Sequence, residues 1–177
     1  LLVKSRMAEA FLKLAAADRL DVLGIAADRI GRPSHLLEKD VWVVWALQVL
    51  FESAVKDDLV FKGGTSLSKA YGVIDRFSED VDLTYDIRAL VPDLVDARGD
   101  AIPATTSEER RWSRRVREVL PLWVADFVQP IIMKAIALQG LQATIRPDGD
   151  KLFIDYPPVA KGTGYVSPSV MLEFGAR

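Results

Sequence analysis

From Asp80 to Asp86 the chain reads Asp-Val-Asp-Leu-Thr-Tyr-Asp, with acidic or polar residues alternating with apolar ones at a period of two. An extended strand places successive side chains on opposite faces, so Asp80 and Asp82 fall on one face and Val81, Leu83 and Tyr85 on the other. A strand of this kind needs neighbours in a sheet and a layer to cover its apolar side. The rest of the sequence supplies both. Leu59-Val60-Phe61 is a short apolar run consistent with a buried strand, broken by Gly63-Gly64-Thr65, and Ser66 to Tyr71 reads as a helix opened by hydroxyl residues.

Residues 1–55 read as helical. Phe11, Leu12, Ala15, Leu20, Leu23 and Ile30 fit one helical face, which Gly31-Arg32-Pro33 ends. Ser34 is the expected N-cap of a second helix reaching Glu52, with Leu37, Val41, Trp45 and Leu47 on its apolar face. Pro92, Gly99 and Pro103 mark a loop over residues 91–105. Thr106-Ser107-Glu108-Glu109 is a capping-box pattern opening a helix with interruptions expected at Pro121 and Pro130. Strands are expected again at Lys151–Tyr156 and Val170–Phe174, joined by a loop carrying Pro157, Pro158, Gly162 and Gly164. The fold class is therefore α+β, a small mixed sheet flanked by helices. Residues 56–177 form its core, and residues 1–55 are a helical N-terminal extension packing on it.

Composition narrows the chemistry. Of 177 residues half are hydrophobic and 27% charged, ample for a buried core and unlike a disordered chain. There is no cysteine, which excludes disulfides, zinc-thiolate sites and thiol nucleophiles, and the single histidine, His35, argues against a Ser-His-Asp triad or a multi-histidine metal site. His35 reads as a helix-start surface residue, and Trp42, Trp45 and Trp123 as core. Net charge is −2, so nucleic acid would have to be met by a local patch. The longest apolar stretch, Val41 to Phe51, is too short to span a membrane and contains Gln48, and no signal peptide pattern is visible. The expectation is a cytoplasmic protein without membrane contact. The chain opens on Leu rather than Met, as an incomplete chain would.

Chemistry concentrates in residues 61–83. A strand running into Gly63-Gly64 lets backbone N–H groups approach an anion, and a helix starting at Thr65 or Ser66 turns its N-terminus to phosphate. Asp80 and Asp82 then offer hard oxygen ligands suited to Mg²⁺, which takes one or two carboxylates and completes its shell with water and phosphate. A phosphate cradle facing a metal site is the minimum for moving a nucleotidyl group. The plain alternatives are a tight turn and the solvated face of an edge strand. No Gly-Lys-Ser/Thr follows at Walker spacing.

Two strings, Phe61-Lys62-Gly63-Gly64-Thr65-Ser66-Leu67 and Arg76-Phe77-Ser78-Glu79-Asp80-Val81-Asp82-Leu83, resemble the AbiEii/AbiGii nucleotidyltransferase toxins of the DNA polymerase β-like superfamily. Glu38-Lys39-Asp40 upstream, and Tyr156-Pro157 and Leu172-Glu173-Phe174 downstream, are similar to further family features. The resemblance covers most of residues 35–177. It implies a toxin of a bacterial toxin–antitoxin or abortive-infection system that transfers a nucleoside monophosphate from an NTP to RNA, such as the 3′ end of tRNA. A cognate antitoxin is the implied protein partner. By position, Gly63, Gly64, Thr65 and Ser66 would hold the triphosphate and Asp80 and Asp82 the Mg²⁺. Lys69 would neutralise phosphate or stand as a solvated lysine. Glu173 would be the third carboxylate activating the acceptor hydroxyl, or a surface glutamate paired with Arg177. Relatives continue into a helical C-terminal domain that completes the site, so a core truncated before that domain is expected.

Arg110, Arg111, Arg114, Arg115 and Arg117 cover one broad face of the helix expected after Thr106, with Trp112 among them. They would bind an RNA backbone, or be a solvated face balanced by Glu108, Glu109 and Glu118. Two competing functions share the same fold: nucleotidyl transfer to a small molecule, as in antibiotic modification, and a catalytically degenerate module that only binds nucleic acid or a partner.

Overall fold

The computed structural model describes residues 2–62, 80–96, 99–162, 164 and 166–177, with side chains from residue 7 onward. Three N-terminal helices, α1 (Leu2–Leu12), α2 (Ala16–Ile30) and α3 (Ser34–Phe51), precede β1 (Leu59–Lys62) and β2 (Asp80–Tyr85). A single-turn helix α4 (Ile87–Leu90) leads to α5 (Thr106–Trp123), a π-helical segment (Val124–Val128) and α6 (Gln129–Gln139). Strands β3 (Thr144–Asp148), β4 (Lys151–Asp155) and β5 (Ser169–Ala176) complete one five-stranded mixed sheet in the order β1-β2-β5-β4-β3. This is the α+β class expected from the sequence.

The last strand enters the middle of the sheet. β5 runs parallel to β2 on one side and antiparallel to β4 on the other. Its burial follows the pleat: Val170, Leu172 and Phe174 are buried while Met171 and Glu173 are half-buried. β2 alternates in the same way, with Val81, Leu83 and Tyr85 inward. Helices pack against this apolar side. Trp123 of α5 lies against Tyr85 at 4.2 Å and edge-on to Phe174 at 5.7 Å between ring centroids. Trp42 of α3 stacks on Tyr156 at 5.0 Å and meets Trp45 edge-on, and the Trp45 indole N–H donates to Gln139 at the end of α6. These rings belong to one continuous core.

Several local expectations change. The first helical stretch breaks at residues 13–15 into α1 and α2, with no glycine or proline there to announce it. Pro33, not Ser34, occupies the N-cap position of α3, where no side chain caps the helix, and Ser34 Oγ instead reaches the Leu23 carbonyl at 3.5 Å. Thr105 rather than Thr106 caps α5, its hydroxyl accepting from Glu108 N–H, while Glu108 accepts from Ala104 N–H. Pro121 does not interrupt α5. The disturbance comes at Val124–Val128: Pro130 has no N–H for the Asp126 carbonyl, and Gln129 N–H reaches back five residues to Val124. Strand β3 is an addition to the expected strands. It is mostly exposed, carries Pro147, and sits at the sheet edge, where proline is tolerated. The helix expected at Ser66–Tyr71 lies outside the described residues.

One run, Thr106–Gln139, is long and apolar enough to cross a membrane by length and composition alone, which by itself is weak evidence of a span. A third of its apolar window is buried, with Leu120, Trp123, Val124, Val128 and Ile132 in the core, while Leu122, Phe127, Met133 and Leu138 are exposed.

Candidate active site

The polar face of the sheet is built by register. Asp82 on β2 lies directly opposite Glu173 on β5, and Asp80 opposite Met171. Glu173 in turn lies opposite Lys151 on β4, and Asp82 opposite Lys62 on β1. One row thus crosses four strands as Lys62, Asp82, Glu173 and Lys151, two acids between two lysines. Strands run about 4.8 Å apart, so Asp82 and Glu173 are direct cross-strand neighbours.

Charge sharpens the picture. Burial raises the pKa of Asp82, and the neighbouring charges of Asp80 and Glu173 raise it further. Three carboxylates crowd one patch, a poor arrangement unless a cation joins them. Lys151 relieves part of it: its ammonium lies 3.4 Å from Glu173 Oε2. Glu173 therefore has Lys151, and not Arg177, as its ion-pair partner. Among the described residues no group of three His, Cys, Asp or Glu side chains converges to hold a metal. Asp80 and Asp82, next-but-one on β2, remain as a two-carboxylate donor set, and hard oxygen donors in that number fit Mg²⁺, which keeps several water or phosphate ligands.

Gly63, Gly64, Thr65, Ser66 and Lys69 lie outside the described residues. Strand β1, from which they follow in sequence, ends at Lys62 in register with Asp82.

The arginines stand elsewhere. Trp123 packs on Tyr85 and Phe174, which face away from the carboxylates, so α5 belongs to the helical layer on the other side of the sheet. Along α5 the arginines separate into two sets. Arg111 pairs with Glu108 at 3.5 Å, and Arg115 with Asp93 at 3.9 Å and Glu118 at 3.8 Å. Arg110, Arg114 and Arg117, spaced i, i+4 and i+7, are exposed and make no ion pair among the described residues. With Thr106, Glu109 and Ser113 they border an open groove of about 410 Å³. Trp112 points inward and is buried.

Residues that sequence reasoning left without a role hold the site's surroundings. Glu38 is 1% exposed, and its carboxylate accepts from Val159 N–H at 3.0 Å and Ala160 N–H at 3.0 Å. Lys39, equally buried, directs its ammonium to the Ser167 carbonyl at 3.5 Å. Together they tie the loop between β4 and β5 to α3. His35 is half-buried near Gly162 rather than fully solvated. A charged triplet at a helix start ordinarily reads as solvated, so only the resemblance at Glu38-Lys39-Asp40 hinted at this role. Lys62 and Lys151 carried no local signal at all.

Comparison with known proteins adds one finding. A family described as nucleotidyl transferase AbiEii toxin, type IV TA system, matches residues 45–177. No curated protein and no solved structure matches the chain.

Proposed function

Because the chain belongs to the AbiEii nucleotidyl transferase toxin family, we propose that it is a Mg²⁺-dependent enzyme moving a nucleoside monophosphate from an NTP to an RNA end, that of tRNA foremost. The carrying observation is the parallel register that sets Glu173 beside Asp82. Two acids for a metal and a third within one strand of them are the parts this chemistry requires.

Asp80 and Asp82 would hold Mg²⁺, whose charge would offset that of the triphosphate and the leaving pyrophosphate. Gly63, Gly64, Thr65 and Ser66 cradle the phosphates through their backbone N–H groups, and Lys69 adds positive charge. Glu173 takes the proton of the acceptor hydroxyl as its oxygen bonds to the α-phosphorus and the bond to pyrophosphate breaks. Lys151 positions Glu173 through the 3.4 Å ion pair. Arg110, Arg114 and Arg117 favour RNA over a small molecule as acceptor. Standing on the opposite layer from the carboxylates, they suit a polyanion that extends around the domain, while Arg111 and Arg115 are held by their own carboxylates. We take the protein to act in the cytoplasm, with a cognate antitoxin as the family implies.

The test incubates the full chain with Mg²⁺, total RNA and each α-³²P-labelled NTP in turn, beside an Asp80→Ala/Asp82→Ala variant. Label in a discrete RNA band with the wild type alone is expected. Label that persists in the variant would remove the two aspartates from the chemistry, and no label on RNA from the wild type would overturn RNA as acceptor.

A further inference from the structure

Beyond Glu173 the polar face continues onto the β4–β3 hairpin. Phe153 lies opposite Met171 on β5 and opposite Arg146 on β3, so Asp80, Met171, Phe153 and Arg146 form the row adjacent to the acidic one. The Arg146 guanidinium sits over the Phe153 ring, 4.0 Å from its centroid. Asp155, on the same strand face as Phe153, holds it there through Arg146 Nε at 3.4 Å. The outer side of the guanidinium remains available, since the Arg146 side chain is 56% exposed. The result is a planar guanidinium surface anchored from below by an aromatic ring and from the side by a carboxylate that offsets its charge. An open cleft of about 470 Å³ adjoins it at Thr144 and Asp155.

We propose that Arg146 and Phe153 form the stacking platform for the 3′-terminal nucleobase of the RNA acceptor. This rests on the transferase reading above, which puts the triphosphate on the β1–β2 side of the acidic row and the acceptor hydroxyl at Glu173. The acceptor must then enter over β4 and β3. There Lys151 flanks Glu173 and the Arg146–Phe153 pair lies in the next row, one strand beyond β5 for Phe153 and two for Arg146. Unpaired bases stack on guanidinium planes and aromatic rings, and single-stranded ends are the form in which RNA offers them. Stacking on a π face is tolerant of base identity, so the platform fixes where the last nucleoside lies and leaves sequence choice to other contacts.

The probe is a short single-stranded RNA carrying 2-aminopurine either at its 3′ end or at an internal position, titrated with full chain. The wild type and the Asp80→Ala/Asp82→Ala variant should quench the 3′-terminal probe more than the internal one. Arg146→Lys keeps the charge and loses the plane, and Phe153→Leu keeps apolar bulk and loses the ring. Both should lose the quench and raise KM for RNA roughly tenfold or more, leaving KM for NTP unchanged. Because Arg146 is largely exposed, Arg146→Lys is the variant in which misfolding cannot imitate the effect. Quenching in Arg146→Lys equal to wild type, equal quenching of both probes, or no quench with wild type each overturn the platform. Wild-type quench at the 3′ end with no label ever transferred to RNA would instead refute the transferase reading and leave the platform as an RNA-end binding site.

Discussion

Burial, and then the charges of Asp80 and Glu173, raise the pKa of Asp82, so its ionised form is disfavoured in the folded state. The penalty is present when Asp82 is charged and disappears as pH falls through its raised pKa. Asp82→Asn should therefore abolish nucleotidyl transfer and yet raise the metal-free melting temperature at neutral pH, by less than the roughly 2–4 °C that 1 kcal/mol is worth in a domain of this size. Asp86 has the opposite sign. Hydrogen bonds from Arg88 hold its carboxyl below the usual carboxylate range while it caps α4 by accepting from Arg88 N–H at 2.8 Å. Its contribution is complete above the unfolded pKa of about 3.9 and is lost as pH falls toward the lower folded value. Melting followed through that acid window should show a shallower loss in Asp86→Asn than in wild type, whereas Asp82→Asn should forgo the gain wild type makes on acidification. Glu38 belongs to neither case. Glu38→Ala leaves one buried and one half-buried backbone N–H without acceptors and should cost about 2–3 kcal/mol. The corresponding fall of roughly 4–12 °C in melting temperature is read directly by calorimetry.

Helix α5 carries two sets of arginines, one ion-paired and one exposed without an ion pair among the described residues. Replacing Arg110, Arg114 and Arg117 together by Gln should flatten the dependence of log K for RNA on log salt by about 2–3 units, as three fewer phosphate contacts require. Replacing Arg111 and Arg115, whose charges are already matched by Glu108, Asp93 and Glu118, should change that slope little. Fluorescence anisotropy across a salt series separates the two sets. The broad arginine face and its balance by Glu108 and Glu118 were legible in the sequence; the pairing of Arg115 with Asp93 was not, because Asp93 comes from a loop whose path only the fold determines. The same distinction runs through the strands. Period-two alternation in β2 fixed the face of Asp80 and Asp82 without help, since it is a property of six consecutive residues. Edge strand β3 escaped because exposed residues and Pro147 erase both the alternation and the β propensity on which a reading depends.

At the scale of the whole molecule, the site is made by a pairing that no local pattern encodes. Asp82 and Glu173 meet because β5 enters between β2 and β4, and that register also delivers Lys151 to Glu173 and Phe153 to Met171. Sequence reasoning could therefore name the acids and not their neighbours. A chain cut before Ser169 should retain two antiparallel pairs, β1–β2 and β3–β4, with no strand joining them in the sheet, and a central strand's worth of apolar surface exposed. Such a chain should give no cooperative melt by circular dichroism, while the full chain gives one. The order of synthesis gives this topology a further meaning. A ribosome adding about 5–20 residues per second delivers Glu173 some 5–20 s after Asp82, and until then Asp80 and Asp82 lack the acid that faces them from β5. Asp82 and Glu173 can therefore face one another across the sheet only after β5 (Ser169–Ala176) has been made.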